Sequence, residues 1–425
     1  MSRGTLAAIL SRGAAILASF ALTVVVARVV GVDRAGVFFL VAAVITVLST
    51  VGRLGSETMV VKLTGGTRDM SASRSTIARL GLLTLVASSI VAMGSVVVVG
   101  VSSWFGDSVS QPALVFAFSA IVAQSLYVFA GAALRGSGRI AAGVIAELGS
   151  APMAAVVILI TMSLWRTVTI DDALVVFAAT SWLTAGWATA MVGWLARPQS
   201  ARDRSTHRED PLRFTPATWR SLASMMGVSV VYFASVWSPI FILGAIGSLE
   251  SVALYTAAVR LVNVIGLIPS IQASYLSPRF AGLIRAGELH AVSALAGRSA
   301  LIATGLALVP GLVLALGSSA VVLFVYGVDY RDAAPLLVIL TLGAVIVVAI
   351  GQVNQLALLS GVEHSAFLAA CIAALAWGTI GVAAIATLGA LGAAVTAIAV
   401  NVSYASALCV LLRRRSISSW ASLRR

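Results

Sequence analysis

The residues that could do chemistry in this chain are few, because almost everything around them is apolar. Arg28, Arg53 and Arg260 stand inside long apolar stretches, and so do the acids Glu57 and Glu147. An ionisable side chain at the centre of such a stretch costs roughly 2.5–3.5 kcal/mol if the stretch crosses a bilayer, so it normally faces a protein interior or a water-filled cavity. Arg260 has no acid within reach on its own segment, since Glu250 is ten positions back. A fixed guanidinium there suits an oxyanion, because it can bond two oxygens at once and does not deprotonate. Asn263 follows three positions later and shares its helix face. Arg53 and Glu57 are spaced to pair on one helix face, with a structural ion pair and a functional role both open. Glu57 and Glu147 are candidate carriers of a coupling proton or Na+, and Arg28 lies near one end of the first apolar run, where its long stem can snorkel.

The surrounding composition explains why these few charges matter. The chain has 425 residues, 60% of them hydrophobic and 10% charged, with 28 basic and 15 acidic side chains. A soluble domain would run near 45–50% apolar and about 25% charged. Mean hydropathy is +1.04. Intrinsic disorder is excluded by the same numbers, and continuous rather than alternating apolar runs exclude a β-barrel.

Apolar runs long enough to cross a bilayer fall at about 6–30, 36–61, 77–101, 112–134, 140–163, 172–196, 219–247, 250–276, 296–325, 333–359, 365–388 and 390–412. The expected architecture is therefore all-α, a polytopic membrane protein of about twelve transmembrane helices. The first run is read as a retained helix, not as a cleaved leader. Bases concentrate in alternate connections: Arg3 and Arg12, Lys62 to Arg79, Arg135 and Arg139, the 197–220 segment, Arg279 to Arg298, and the tail from Arg413. The positive-inside bias places these connections and both termini in the cytoplasm. On this topology Arg260 lies about ten residues past the outer start of its span, roughly 15 Å deep and near the midplane. The excess of bases is thereby a topology signal, and nucleic acid is not an expected partner.

Residues 197–217, RPQSARDRSTHREDPLRFTPA, form the one polar, proline-punctuated break. They divide the chain into an N-terminal six-helix bundle (1–196), a basic cytoplasmic connector (197–217), a C-terminal six-helix bundle (218–412) and a basic tail (413–425). The halves echo each other faintly: ARVVGVDRAGVFFLVAA at 27–43 overlies LGAIGSLESVALYTAAV at 243–259, and FGDSVSQPALVF at 105–116 overlies YGVDYRDAAPLLV at 326–338. An even number of spans per half makes this a parallel pseudo-repeat.

At these repeat boundaries the chain resembles the Wzx-type oligosaccharide flippases of the multidrug/oligosaccharidyl-lipid/polysaccharide exporter superfamily. The resemblance is carried by ARVVGVDRAGVFFL at 27–40, ALYTAAVRLVNVIGLIPSIQASYLSPRFAGLIRAGE at 253–288, VLFVYGVDYRDAAPLLVIL at 322–340 and TLGALGAAVTAIAVN at 387–401. It implies a MATE-like pair of bundles in a bacterial inner membrane. The implied function is to flip a polyprenyl-diphosphate-linked oligosaccharide to the external leaflet by alternating access, beside other polysaccharide-assembly membrane proteins. Arg28, Arg53, Arg260 and Asn263 would then meet the diphosphate and sugar. The lipid II flippases of the superfamily usually have fourteen spans. A multidrug or cation antiporter of the same superfamily is the main rival, but the acid usual in the first helix of those proteins is missing, since residues 6–30 contain no Asp or Glu.

A polyprenyl-linked membrane polymerase or transferase is the enzymatic alternative. Its support is poor: the external loops are short, the three histidines form no ligand-spaced cluster, and there is no phosphate-binding P-loop. No catalytic residue, metal site or cofactor is therefore expected; a coupling ion, H+ or Na+, stays open. Gln124, Gln272, Gln352, Asn354, Gln355 and Asn401 also lie within spans, where amides serve either sugar hydroxyls or neighbouring helices.

Overall fold

The computed structural model describes residues 3–64, 74–101, 109–196, 215–360 and 362–414, with side chains given only in part for 3–9, 62–64, 99–101, 217–235, 274–285 and 355–364. Most of the expected connector and all but the first two residues of the expected basic tail lie outside the described residues. Every regular element among those described is a helix, because in a run of this apolarity only a helix satisfies all backbone groups within itself.

In chain order these are α1 (Arg3–Val30), α2 (Val32–Gly52), α3 (Ser56–Thr64), α4 (Arg74–Val101), α5 (Gln111–Gly136), α6 (Ile140–Val144), a π-helical turn (Ile145–Gly149), α7 (Ser150–Trp165) and α8 (Ile170–Leu195). They continue with α9 (Pro216–Ile246), α10 (Leu249–Arg285), α11 (Leu289–Leu316), α12 (Ser318–Tyr326), a 3-10 turn (Val328–Ala333), α13 (Ala334–Ile350), α14 (Val353–Leu359), α15 (Glu363–Leu388) and α16 (Ala390–Arg413). Among the described residues eleven segments are long and apolar enough to cross a membrane. The remaining expected span, 219–247, coincides with α9, of which Val236–Ile246 is the described apolar part. The protein is a multi-pass membrane protein.

Several expected spans are interrupted where hydropathy gave no warning. The run 36–61 breaks at residues 53–55, where Leu54 has φ +50° and Gly55 φ +74°. The run 296–325 divides at Gly317, and 333–359 at Gly351, whose φ of +93° ends α13. Glycine accepts that left-handed backbone freely, whereas Leu54 takes it at a cost of roughly 1–2 kcal/mol.

The chain forms two compact units, 1–234 and 235–425, so the division falls inside α9. In the first unit α5 is the central helix, packed on α8, α4, α2 and α3, and it presents small side chains such as Ala117, Ala120, Ala123 and Ala130 to them. Serine and threonine add short-range polar glue: Ser56 Oγ meets Thr84 Oγ1 at 2.6 Å, and Ser125 Oγ donates to the Ser49 carbonyl at 3.1 Å. In the second unit α13 is central, against α11, α16 and α10. The outward faces are apolar, with Trp165, Leu316 and Phe324 each more than 80% exposed. Faces of this kind fit hydrocarbon and would aggregate in water.

Candidate functional site

Four charges of the first unit, Arg53, Glu57, Arg135 and Glu147, gather near the break between α2 and α3. Arg53 caps α2, and its guanidinium folds back along that helix. Nη1 donates to Ser49 Oγ at 3.2 Å and Nη2 to Thr50 Oγ1 at 2.9 Å. Its Nε faces Glu57 Oε1 at 3.5 Å across the break. This is the expected pair of residues four positions apart, but the helix between them is not continuous. The break leaves the contact long, and among the described residues neither Arg53 Nε nor Glu57 Oε2 has a hydrogen-bond partner, although both atoms are buried. Arg53 is only 5% exposed.

Glu147 is held differently. Arg135 Nη2 lies 2.7 Å from Glu147 Oε1, and Arg135 Nε donates to the same oxygen at 2.9 Å. Two glycines make room for this bridge. A Cβ on Gly131 would run into Glu147 Cγ, and one on Gly143 would lie 2.5 Å from both Arg135 Cγ and the Gly131 carbonyl oxygen. Each helix thus offers a glycine beneath the charged stem of the other. Arg53 and Glu57 lie within electrostatic range of Glu147, and Tyr127 within range of Arg53. One polar cluster therefore links α2, α3, α5 and the π turn.

Arg135 was not among the expected site residues, because its position at the end of a basic connection reads as a topology signal. The sequence does carry a cue: Gly131 and Arg135, and Gly143 and Glu147, repeat the same four-residue spacing on consecutive helices.

In the second unit Arg260 is half-buried on α10 and interacts electrostatically with Tyr326 at the end of α12. The Tyr326 hydroxyl donates to the Ala257 carbonyl at 3.3 Å, one turn before Arg260, and its ring lies 5.2 Å from that of Tyr330. Two of the four motif segments, 253–288 and 322–340, thus meet at this arginine. Tyr326 is a second residue that hydropathy did not flag. Asn263 lies one turn on and is exposed. Arg28 is exposed in the last turn of α1, next to the Gly31 kink with φ +86°.

The amides serve mainly to join helices. Gln352 Nε2 donates to the Pro269 carbonyl at 2.9 Å, Gln272 Nε2 to the Ser299 carbonyl at 3.0 Å, and Tyr404 to Asn354 Oδ1 at 3.1 Å. Asn401 donates back to Ala397 on its own helix. Among the described residues no group of three or more His, Cys, Asp or Glu could hold a metal ion.

The fold is shared with solved membrane transporters. A lipid II flippase MurJ in an inward closed conformation superposes with a TM-score of 0.68 at 13% identity, covering 96% of this chain and 87% of that one. An inward-facing multidrug resistance MATE family transporter of the MOP superfamily gives 0.65 at 15% identity, covering 98% and 95%. A MOP superfamily transporter from Pyrococcus furiosus Vc1, described as having a binding pocket of reversed polarity, gives 0.64 at 13% identity, covering 100% and 99%. The architecture is MATE-like. No family model matches the chain, and no curated protein matches it.

Proposed function

We propose that this protein flips a polyprenyl-diphosphate-linked oligosaccharide from the cytoplasmic to the external leaflet, by alternating access, during assembly of a cell-surface polysaccharide. The observation that carries the reading is the sign of the charge left inside the membrane. Well inside its spans the sequence places three arginines, Arg28, Arg53 and Arg260, against two acids, Glu57 and Glu147, so their formal charges sum to a positive value. A diphosphate carried through such a path exchanges water for guanidinium, whose paired N–H groups match phosphate oxygens. A cationic drug would meet repulsion instead. The fold supports the reading, since a flippase of a lipid-linked substrate shares it.

In this reading Arg53, Arg260 with Asn263, and Arg28 are the groups that meet the diphosphate and sugar, while the polyprenyl tail stays in lipid. An interior-negative potential favours outward movement of an anion by about 2.3 kcal/mol per charge per 100 mV. If transport is also ion-coupled, Glu57 and Glu147 are the residues through which H+ or Na+ acts.

Ligand stabilisation tests the substrate class. A ligand at a hundred times its dissociation constant adds about 2.7 kcal/mol to the folded state. An undecaprenyl-diphosphate oligosaccharide should therefore raise the unfolding temperature of the purified protein in nanodiscs, and ethidium should not. The opposite ranking would favour the cation antiporter.

A further inference from the structure

We infer that Glu57 is a built-in competitor of the cargo, a carboxylate that occupies on Arg53 the place a phosphate oxygen takes during transport. The inference rests on the proposed reading of Arg53 as a diphosphate contact and adds a role for its neighbour.

Glu57 and Glu147, both largely but not fully buried, are held in contrasting ways. Glu147 is engaged by two nitrogens of Arg135 at 2.7 and 2.9 Å, over glycines that admit both stems. Glu57 reaches Arg53 only through Nε at 3.5 Å, and its second oxygen is buried with no hydrogen-bond partner among the described residues. A buried carboxylate tied this loosely is replaceable, because an anion that satisfies the free Nε donor gains what Glu57 leaves unmade.

The guanidinium does not depend on Glu57 for its position. Ser49 and Thr50 hold Nη1 and Nη2 on α2, and both are nearly fully buried. If Glu57 leaves, the arginine stays pointed while Nε becomes available. The backbone permits that departure. Glu57 belongs to α3, beyond a break formed by Leu54 at φ +50° and Gly55 at φ +74°, so α3 can change angle without unwinding α2. The break also explains the length of the ion pair, since four residues of uninterrupted helix would bring the two groups together. Arg53 is covered in the state described, and the exchange of Glu57 for cargo accompanies the uncovering of that site.

Binding of farnesyl diphosphate, a soluble polyprenyl diphosphate, to the full chain in nanodiscs provides the test. If Glu57 occupies Arg53 about nine-tenths of the time, Glu57→Gln tightens apparent affinity about tenfold. Arg53→Ala weakens binding, and Glu57→Gln then adds nothing in the Arg53→Ala background. Glu57→Asp, whose shorter arm relaxes the pair, gives an intermediate gain and serves if the glutamine variant fails to accumulate. Unchanged or weaker binding in the Glu57 variants, with binding still weakened in Arg53→Ala, overturns the competitor role and leaves the cargo reading standing. Equal binding by wild type and Arg53→Ala removes Arg53 from the cargo path, and the inference falls with it.

Discussion

Replacing Arg260 by alanine is expected to lower translocation of the lipid-linked oligosaccharide about a hundredfold while the protein still accumulates in the membrane. The size follows from the kind of interaction that the substitution removes. Truncating one partner of a desolvated charge pair costs roughly 2–5 kcal/mol, and about 2.7 kcal/mol is already two decades. Arg260 sits on α10 eleven residues after Leu249, with Tyr326 beside it and Asn263 one turn further on. Lysine there keeps the charge but lacks the paired donors, so Arg260→Lys should fall between wild type and alanine. Translocation measured in inverted vesicles, normalised to protein level, decides the matter. Unchanged transport in the alanine variant would take Arg260 out of the cargo path.

The second large effect concerns stability. Gly143→Ala should destabilise the first unit by about 3 kcal/mol, since overpacking alone costs typically 1–3 kcal/mol and the Arg135–Glu147 bridge is disturbed as well. A Cβ there lies 2.5 Å from the Gly131 carbonyl oxygen and 3.0 Å from the Arg135 amide nitrogen. These are backbone atoms, which cannot turn aside as a flexible side chain can. Loss of the bridge adds less than a fully buried pair would, because the Arg135 side chain is 39% exposed and solvent screens it. Gly94→Ala on α4 is the control: nothing lies within 4 Å of its Cβ position, and alanine favours helix by about 0.8–1 kcal/mol over glycine. Thermal unfolding in detergent should show a clear drop in stability for Gly143→Ala and none for Gly94→Ala. Equal behaviour of the two would mean that α5 and the α6 segment do not pack as closely as described.

Much of the fold was legible because bilayer physics constrains it so tightly. A run of about 20 apolar residues has one low-energy conformation in hydrocarbon, and helices occupy the twelve expected regions. The breaks were not legible. Gly351 and the Arg53–Gly55 turn sit inside unbroken hydropathy, and a backbone reversal of sign leaves no trace in an average over side chains. Among the candidate site residues, Arg53 and Glu57 were readable as a pair because four positions is a helical repeat. The Arg135–Glu147 bridge spans twelve positions and a turn, and the Arg260–Tyr326 interaction spans 66, so both depend on how helices meet. Gln272 and Gln352 show the limit of reading chemistry from residue type. Their amides are spent on the carbonyls of Ser299 and Pro269, where they join α10 to its neighbours.

The central claim is that the cargo is an anionic polyprenyl-diphosphate saccharide. Its most direct test is transport by the purified full chain in proteoliposomes that hold the lipid-linked oligosaccharide in both leaflets, with an enzyme outside that destroys only exposed sugar. Under an imposed potential, the account expects the inner-leaflet half of the oligosaccharide to become degradable in the presence of the protein, and the Arg260→Ala variant to leave it largely protected. Full protection of that half with the wild-type chain, in vesicles that instead move a cationic dye against its gradient, would contradict it.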